Sequence, residues 1–259
     1  MPYIDFQQLT DLETQCVSSE PAVSWQSIGR SHVGRVRSDN EDAFYHSSEQ
    51  GLWAVADGMG GLARGDYASG VVADALVHFV RLKSLAACIR DLEIRLRDAH
   101  NKCRHSFPGE PVGSTVVALF SYGPFAFLLW AGDSRIYRLR PGNTQGQFTL
   151  LTQDHTVAQE KIAQGALTEA QAALTPSADV LTRAVGVHQT LHLELDYARV
   201  EKGDRYLVCS DGLYKELSTP QIEHCLSQSR AQQALDCLIN TALDNGGRDN
   251  ITAIVVDAI

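Results

Sequence analysis

The order of structural signals in this 259-residue chain predicts an α+β fold, a four-layer α-β-β-α sandwich of two antiparallel sheets flanked by helix pairs. Three observations carry that prediction. Strand-like runs are joined by short turns, as antiparallel pairing requires. Two helical stripes follow one another without a strand between them, which excludes simple βαβ alternation. Hydrophobic residues make up 44% of the chain, enough for a substantial core, and no linker or internal repeat divides it.

Residues 1–22 carry no clear period and read as an N-terminal extension. VSWQSIGRSH (23–32) alternates like a strand, and DAFYHS (42–47) with LWAVA (52–56) reads as a hairpin across SSEQG. From Tyr67, apolar residues recur at Val71, Val72, Ala75, Leu76, Phe79 and Val80, the stripe of an amphipathic helix. A second helix over 85–104 aligns Ile89, Leu92, Leu96, Ala99 and Cys103. Then come GSTVVALFSY and FAFLLWAGD around a Gly-Pro turn, and SRIYRLR and FTLLT around PGNTQG, read as consecutive hairpins. Helical pieces over 155–164 and 168–174 stop before Pro176. VLTRAV, LHLELDYARV and RYLVCS read as strands. Helices over 220–228 and 230–243 follow, the second with Ala231, Ala234, Leu235 and Leu238 on one face, and NITAIVV closes the chain as a strand.

Composition excludes several functions. With 22 basic against 31 acidic residues, a net of −9 and no basic stripe, nucleic acid is not the expected partner. The N-terminus has neither the basic nor the apolar region of a secretory signal, and no apolar run approaches the roughly 18 residues of a membrane span. A cytoplasmic protein without a membrane partner is expected. The six cysteines are scattered without a CxxC pair, so reduced, buried thiols are expected rather than a zinc site or disulfide framework.

The chemistry is concentrated in the aspartates. LWAVADG, LLWAGDS and YLVCSDG each end an apolar strand in an acid: Asp57, Asp133 and Asp211. SDNEDAFY and NGGRDNITAIVV mirror them, with Asp42 and Asp249 ahead of a strand. Where strands run antiparallel, the end of one lies beside the start of the next, so these acids are expected to meet at one rim of the sandwich. A single Asp-Gly is ordinarily a turn. Five at one rim need cations, and oxygen donors without histidine or cysteine favour magnesium or manganese. Two such ions roughly 3.5–4 Å apart activate water and clamp a phosphoryl group.

The run Gly58-Met-Gly-Gly-Leu-Ala63 also fits the loose dinucleotide fingerprint GxGxxG/A. That reading needs a second strand ending in an acid about 20 residues on. Here the helix continues into RLKS instead, and Asp57 directly before the first glycine would repel a pyrophosphate. The glycines better suit close approach of the backbone to an ion, with the Gly58 carbonyl as a ligand. Arg37, five residues ahead of Asp42, is a bidentate phosphate holder or an ordinary surface arginine.

GRVRSDNEDAFY, ADGMGG, GSTVVALF, WAGDSRIYRLR, LTQDH, LTRAVG, VCSDGLY and GGRDNITAIVV occur in an order that resembles the metal-dependent protein phosphatases of type 2C, over about 30–257. The DGMGG form resembles the bacterial branch that opposes serine/threonine kinases. The resemblance implies a single phosphatase domain over 23–259, with a mobile flap at about 155–180. It implies hydrolysis of phosphoserine and phosphothreonine in proteins by a metal-activated water, with two to three Mn2+ or Mg2+ ions and no phospho-enzyme. Asp57 would bridge two ions, the Gly58 carbonyl would serve one, and Asp211 and Asp249 would complete the first. Glu41 and Asp42 would hold metal-bound waters or approach the metals directly, Asp133 with Asp211 would bind a third ion, and Arg37 would hold phosphate. The implied partners are phosphoproteins, among them a cognate kinase and its targets, in settings that include secretion control, with the enzyme a monomer. Met59 stands where many eukaryotic relatives carry a histidine, leaving a metal-bound water or His155 as the proton donor. Bacterial relatives read close to H-P before LTRAxG, whereas this chain reads LTPSADVLTRAVG, so its flap is expected to be arranged differently.

Overall fold

Strands buried on both faces explain the continuous apolar runs. The computed structural model describes residues 6–17, 23–59, 64–107, 112–142, 147–172, 175 and 177–259. One sheet orders β1 (Trp25–His32), β11 (Ile251–Ala258), β10 (Arg205–Cys209), β7 (Arg135–Arg140) and β8 (Gln147–Leu150). The other orders β2 (Asp42–Ser47), β3 (Leu52–Met59), β5 (Val116–Tyr122), β6 (Phe125–Ala131) and β9 (Glu194–Arg199), with the short β4 (Gly113–Ser114) beside β3. Every pairing between these strands is antiparallel.

The alternation of a strand divides its side chains between two cores. Trp53 and Val55 of β3, Val117 and Leu119 of β5, and Leu128 and Trp130 of β6 meet Tyr206, Val208, Ile254 and Val256 between the sheets. Leu52, Ala54 and Ala56, with Val116, Ala118, Phe120, Phe127 and Leu129, instead face the first helix pair. Leu207, Cys209, Ala253 and Val255 face the second pair. The first pair is α2 (Gly65–Val77) and α3 (Leu85–Ser106), the latter begun by Ser84, whose Oγ accepts the Ala87 N–H at 3.2 Å. The second is α7 (Thr219–Leu226) and α8 (Ala231–Asp244), with Gln221 Oε1 accepting the Ser218 N–H at 2.9 Å.

Four details differ from the sequence reading. The N-terminal stretch contains α1 (Phe6–Val17), whose Leu9 and Leu12 join the first helix-side core. The stripe from Tyr67 outlasts its helix: α2 ends at Val77, Phe79 is buried beyond it and Val80 is exposed. VLTRAV is not a strand. Only Leu181 and Val185 pair, singly, with Thr156 and Ser114, because a turn precedes them and Gly186 at φ 86° ends the extended backbone. Finally, Cys225 and Cys237 form a disulfide, since the packing of α7 on α8 brings their Cα atoms to 5.4 Å, a proximity that spacing does not reveal. Cys88, Cys103 and Cys209 are free and buried, as expected. The remaining helices are short: α4 (Val157–Ala163), α5 (Glu169–Ala172) and α6 (Asp211–Tyr214).

One connection positions the site. β5–β6 and β7–β8 are hairpins, but β6 and β7 belong to different sheets, so the chain crosses the sandwich at Ala131–Ser134. Gly132 makes the crossing at φ 117°, and a Cβ there would lie 2.7 Å from Thr115 Cβ. Gly132→Ala is therefore expected to lower stability by about 1–3 kcal/mol, read from urea unfolding.

Candidate active site

The acids that end and begin these strands come together. Arg37, Glu41, Asp57, Gly58, Asp133, Asp211 and Asp249 all line one cleft of about 490 Å³, with Met59, Asp179, Val180, Leu181, Val187 and Lys215 around them. A larger groove of about 810 Å³, beside Pro141, Lys202, His224 and Ile259, lies at the opposite ends of β7, β10 and β11 and holds none of these aspartates. Gly60 and Gly61, expected to keep the backbone clear, lie outside the described residues.

Asp57 is held through its backbone. Its N–H donates to Thr115 Oγ1 at 3.0 Å, and its carbonyl accepts the Thr115 N–H at 2.8 Å and the Ser114 hydroxyl at 3.0 Å. Asp42 is its direct partner across the β2–β3 ladder. The Asp42 carboxylate sits behind the cleft: Oδ2 accepts the Ser210 hydroxyl at 2.7 Å, while Oδ1 is buried without a partner. Asp133 is 6% exposed, and its carbonyl accepts the Tyr214 hydroxyl at 2.9 Å.

Two cations already share the cluster. Arg37 donates to Asp249 Oδ2 at 2.9 Å. Lys215 donates to Asp211 Oδ2 at 2.6 Å and stands 3.9 Å from Asp133 Oδ2. With these cations interposed, no three metal-ligating groups among the described residues form a preassembled cage. Glu41 lines the cleft, and its Oε1 accepts the Gly65 N–H at 3.1 Å at the start of α2. Its carbonyl accepts the Gly58 N–H at 3.0 Å. Gly58 has a structural reason beyond the expected one: a Cβ there would stand 2.1 Å from the Gly65 carbonyl oxygen, so α2 packs onto the strand end through it.

Electrostatics sets the demand for cations. Burial first, then the charges of Asp42, Asp211 and Asp133, push Asp57 well above the usual carboxylate range. Burial pushes Asp42 up to about 7, with Thr252 and Ser210 opposing. Burial and Asp211 push Asp133 up to about 7, with Lys215 opposing. Oxygen-only donors, an orphaned buried carboxylate oxygen and protons held only because charge is uncompensated fit a hard divalent cation.

The sequence reading missed Thr115, Ser210, Asn250 and Lys215. Asn250 Oδ1 accepts the Glu41 N–H at 2.8 Å, and its Nδ2 donates to the carbonyls of Val33 and Asp39, both at 2.9 Å. All but Lys215 adjoin motif residues as GST, SDG and DN; Lys215 is four residues after Asp211, the spacing of a helical ion pair. His155 serves the fold. Its Nδ1 accepts the Gly132 N–H at 3.2 Å, so Nε2–H donates to Glu194 Oε2 at 2.9 Å, and its ring stacks on Trp130 at 5.8 Å. Burial lowers its pKa, with Glu194 opposing.

A profile of protein phosphatase 2C matches residues 28–254. The chain belongs to that family. This phosphatase 2C chain is 34% identical over 234 residues to serine/threonine protein phosphatase PstP of Mycobacterium tuberculosis, covering 89% of this chain. It spans 44% of the length of that relative. The catalytic domain of PstP solved with 2 manganese ions superposes with a TM-score of 0.79 at 32% identity, over 92% of this chain and 100% of that one. PppA, a key regulatory component of T6SS in Pseudomonas aeruginosa, superposes with a TM-score of 0.81 at 41% identity, over 92% of this chain and 99% of that one. Metal binding is thus seen in a relative. Among the described residues, no helix is long and apolar enough to cross a membrane.

The raised carboxyls give a testable pH dependence. An unfolded aspartate releases its proton near about 4, whereas folded Asp42 and Asp133 retain theirs to about 7, so the folded state binds more protons between those values. Stability from these groups is present at low pH and lost as pH rises through about 7. In chelator, Asp42→Asn is expected to lose less stability than wild type between pH 5 and pH 8, roughly the window bounding those pKa values. Urea unfolding at both values measures it, and equal losses would contradict it.

Proposed function

We propose that this chain hydrolyses phosphoserine and phosphothreonine in proteins, using two divalent ions, Mn2+ or Mg2+, and opposing a bacterial serine/threonine kinase. One observation carries the reading: Asp57, Asp133, Asp211 and Asp249 line a single cleft with Arg37. In this reading Asp57, Asp211 and Asp249 hold the ions with the Gly58 carbonyl, and Asp42 and Glu41 orient their waters. Bound ions supply Lewis acidity, which acidifies a water and neutralises phosphoryl charge.

The chain's own groups do the rest. Arg37 is about half exposed, so its guanidinium is free to exchange Asp249 for two phosphoryl oxygens. Thr115 and Ser114 hold the Asp57 backbone through hydrogen bonds on both its N–H and its carbonyl. Met59 lines the cleft but has no proton to give, and both ring nitrogens of His155 are engaged. The leaving alkoxide is therefore protonated by water in the cleft rather than by a histidine. Asp179, Val180 and Leu181 bring the end of the 155–180 insert to the cleft wall, where it contacts the segment flanking the phosphorylated residue. The likeness to PppA, a key regulatory component of T6SS in Pseudomonas aeruginosa, supports a phosphoprotein in secretion control as the physiological target.

Hydrolysis of p-nitrophenyl phosphate and a phosphothreonine peptide with manganese tests this. Turnover is expected to vanish in chelator and to fall by about 10²–10³-fold in Asp57→Asn and Asp211→Asn. Arg37→Ala is expected to raise KM more than it lowers kcat. Metal-independent turnover, or full activity in Asp211→Asn, would sink the assignment.

A further inference from the structure

Lys215 is a cation built into the one corner of the cleft where a third ion is expected. Its Nζ lies 2.6 Å from Asp211 Oδ2 and 3.9 Å from Asp133 Oδ2. An ion shared by those two carboxylates needs oxygen contacts of about 2.0–2.1 Å for Mg2+, in the space the ammonium fills. Ammonium and ion therefore compete for the same two charges, and each repels the other at contact range.

The backbone returns Lys215 to the same carboxylate, although 41% of its side chain is exposed. Asp211 opens the short helical turn α6, and Lys215 follows it at four residues, so the pairing is a property of the backbone. The Lys215 N–H donates to the Asp211 carbonyl at 2.9 Å, closing the same turn. Asp133 is pinned as well. Its carbonyl accepts the Tyr214 hydroxyl, and the Tyr214 ring lies 3.7 Å below the Arg135 guanidinium, itself bidentate to Asp154. Arg37 differs, since it approaches Asp249 from a surface loop and with more than half of its side chain exposed.

We infer that Lys215 replaces the third divalent ion at the Asp133–Asp211 corner, so that the chain holds two ions rather than three. The inference rests on the reading above that Asp57, Asp211 and Asp249 hold two ions. It makes Lys215 a positioning residue that keeps Asp133 and Asp211 compensated at any metal concentration. It also changes the role of Asp133 from metal ligand to partner of an ammonium.

Counting ions tests it without an activity assay. Manganese titrated into the metal-free full chain, followed by calorimetry and by elemental analysis after gel filtration, should give two equivalents for wild type. Lys215→Ala should bind a third, at manganese concentrations at least tenfold below any at which wild type takes one up. Lys215→Arg, which keeps the charge, should stay at two. Adding Asp133→Asn to Lys215→Ala should return the count to two, while Asp133→Asn alone should leave it there. Three equivalents in wild type, or two in Lys215→Ala with unchanged affinities, would overturn the inference while leaving the metal-site reading intact. No binding in wild type would instead overturn the metal-site reading, and this inference with it.

Discussion

Asp42 and Asp57 are direct partners across two antiparallel strands, and the site depends on that opposition being tolerated. Like charges opposite one another destabilise a sheet. The strand ends do not give way because β3 is held elsewhere. Leu52, Trp53 and Val55 are completely buried, and each contributes about 1.5–3 kcal/mol, Leu52 on one face of the sheet and Trp53 and Val55 on the other. Their sum exceeds what a strand end gains by swinging an acid into solvent. The repulsion is instead relieved locally, by a raised proton affinity and by the Ser210 hydroxyl.

The alternating pattern made most of this visible from the residues. In LWAVA and FAFLLWA every position is apolar because alternate residues serve different cores, and that is the signature of a strand covered on both faces. Once those strands are antiparallel, acids at the end of one and the start of the next share a rim within each sheet, and the packing of the two sheets brings Asp57 and Asp133 to Asp211 and Asp249. The family profile adds the chemistry but starts at residue 28, leaving α1 outside it. Leu9 and Leu12 nonetheless cover apolar surface of the helix-side core, which two buried leucines in a short polar segment signal only weakly.

What escaped notice shares one physical cause: it depends on which elements meet in space. Nothing in LLWAGDSRIY distinguishes a hairpin from a crossing between sheets, because both need a glycine with positive φ. The crossing is decided by the long-range pairing of β7 with β10 and β6 with β9. Cys225 and Cys237 are likewise neighbours only because α7 packs against α8. Glu41 carries a second contact of the same kind. Its place in SDNEDAFY suggests a role toward the ions, and the first turn of α2 lies close enough for its Oε1 to accept the Gly65 N–H as well.

These contacts share a lesson about acidic clefts. A carboxylate beside a buried strand end takes whatever positive partner lies within reach: a helix N–H for Glu41, a guanidinium for Asp249, an ammonium for Asp211. The partner's tether then decides how readily it yields. A loop arginine in solvent exchanges at small cost because water already solvates much of it. An ammonium one helical turn from its carboxylate recovers its partner whenever it lets go. The number of ions such a cleft accepts is therefore set by how its own cations are tethered as much as by how many acids line it.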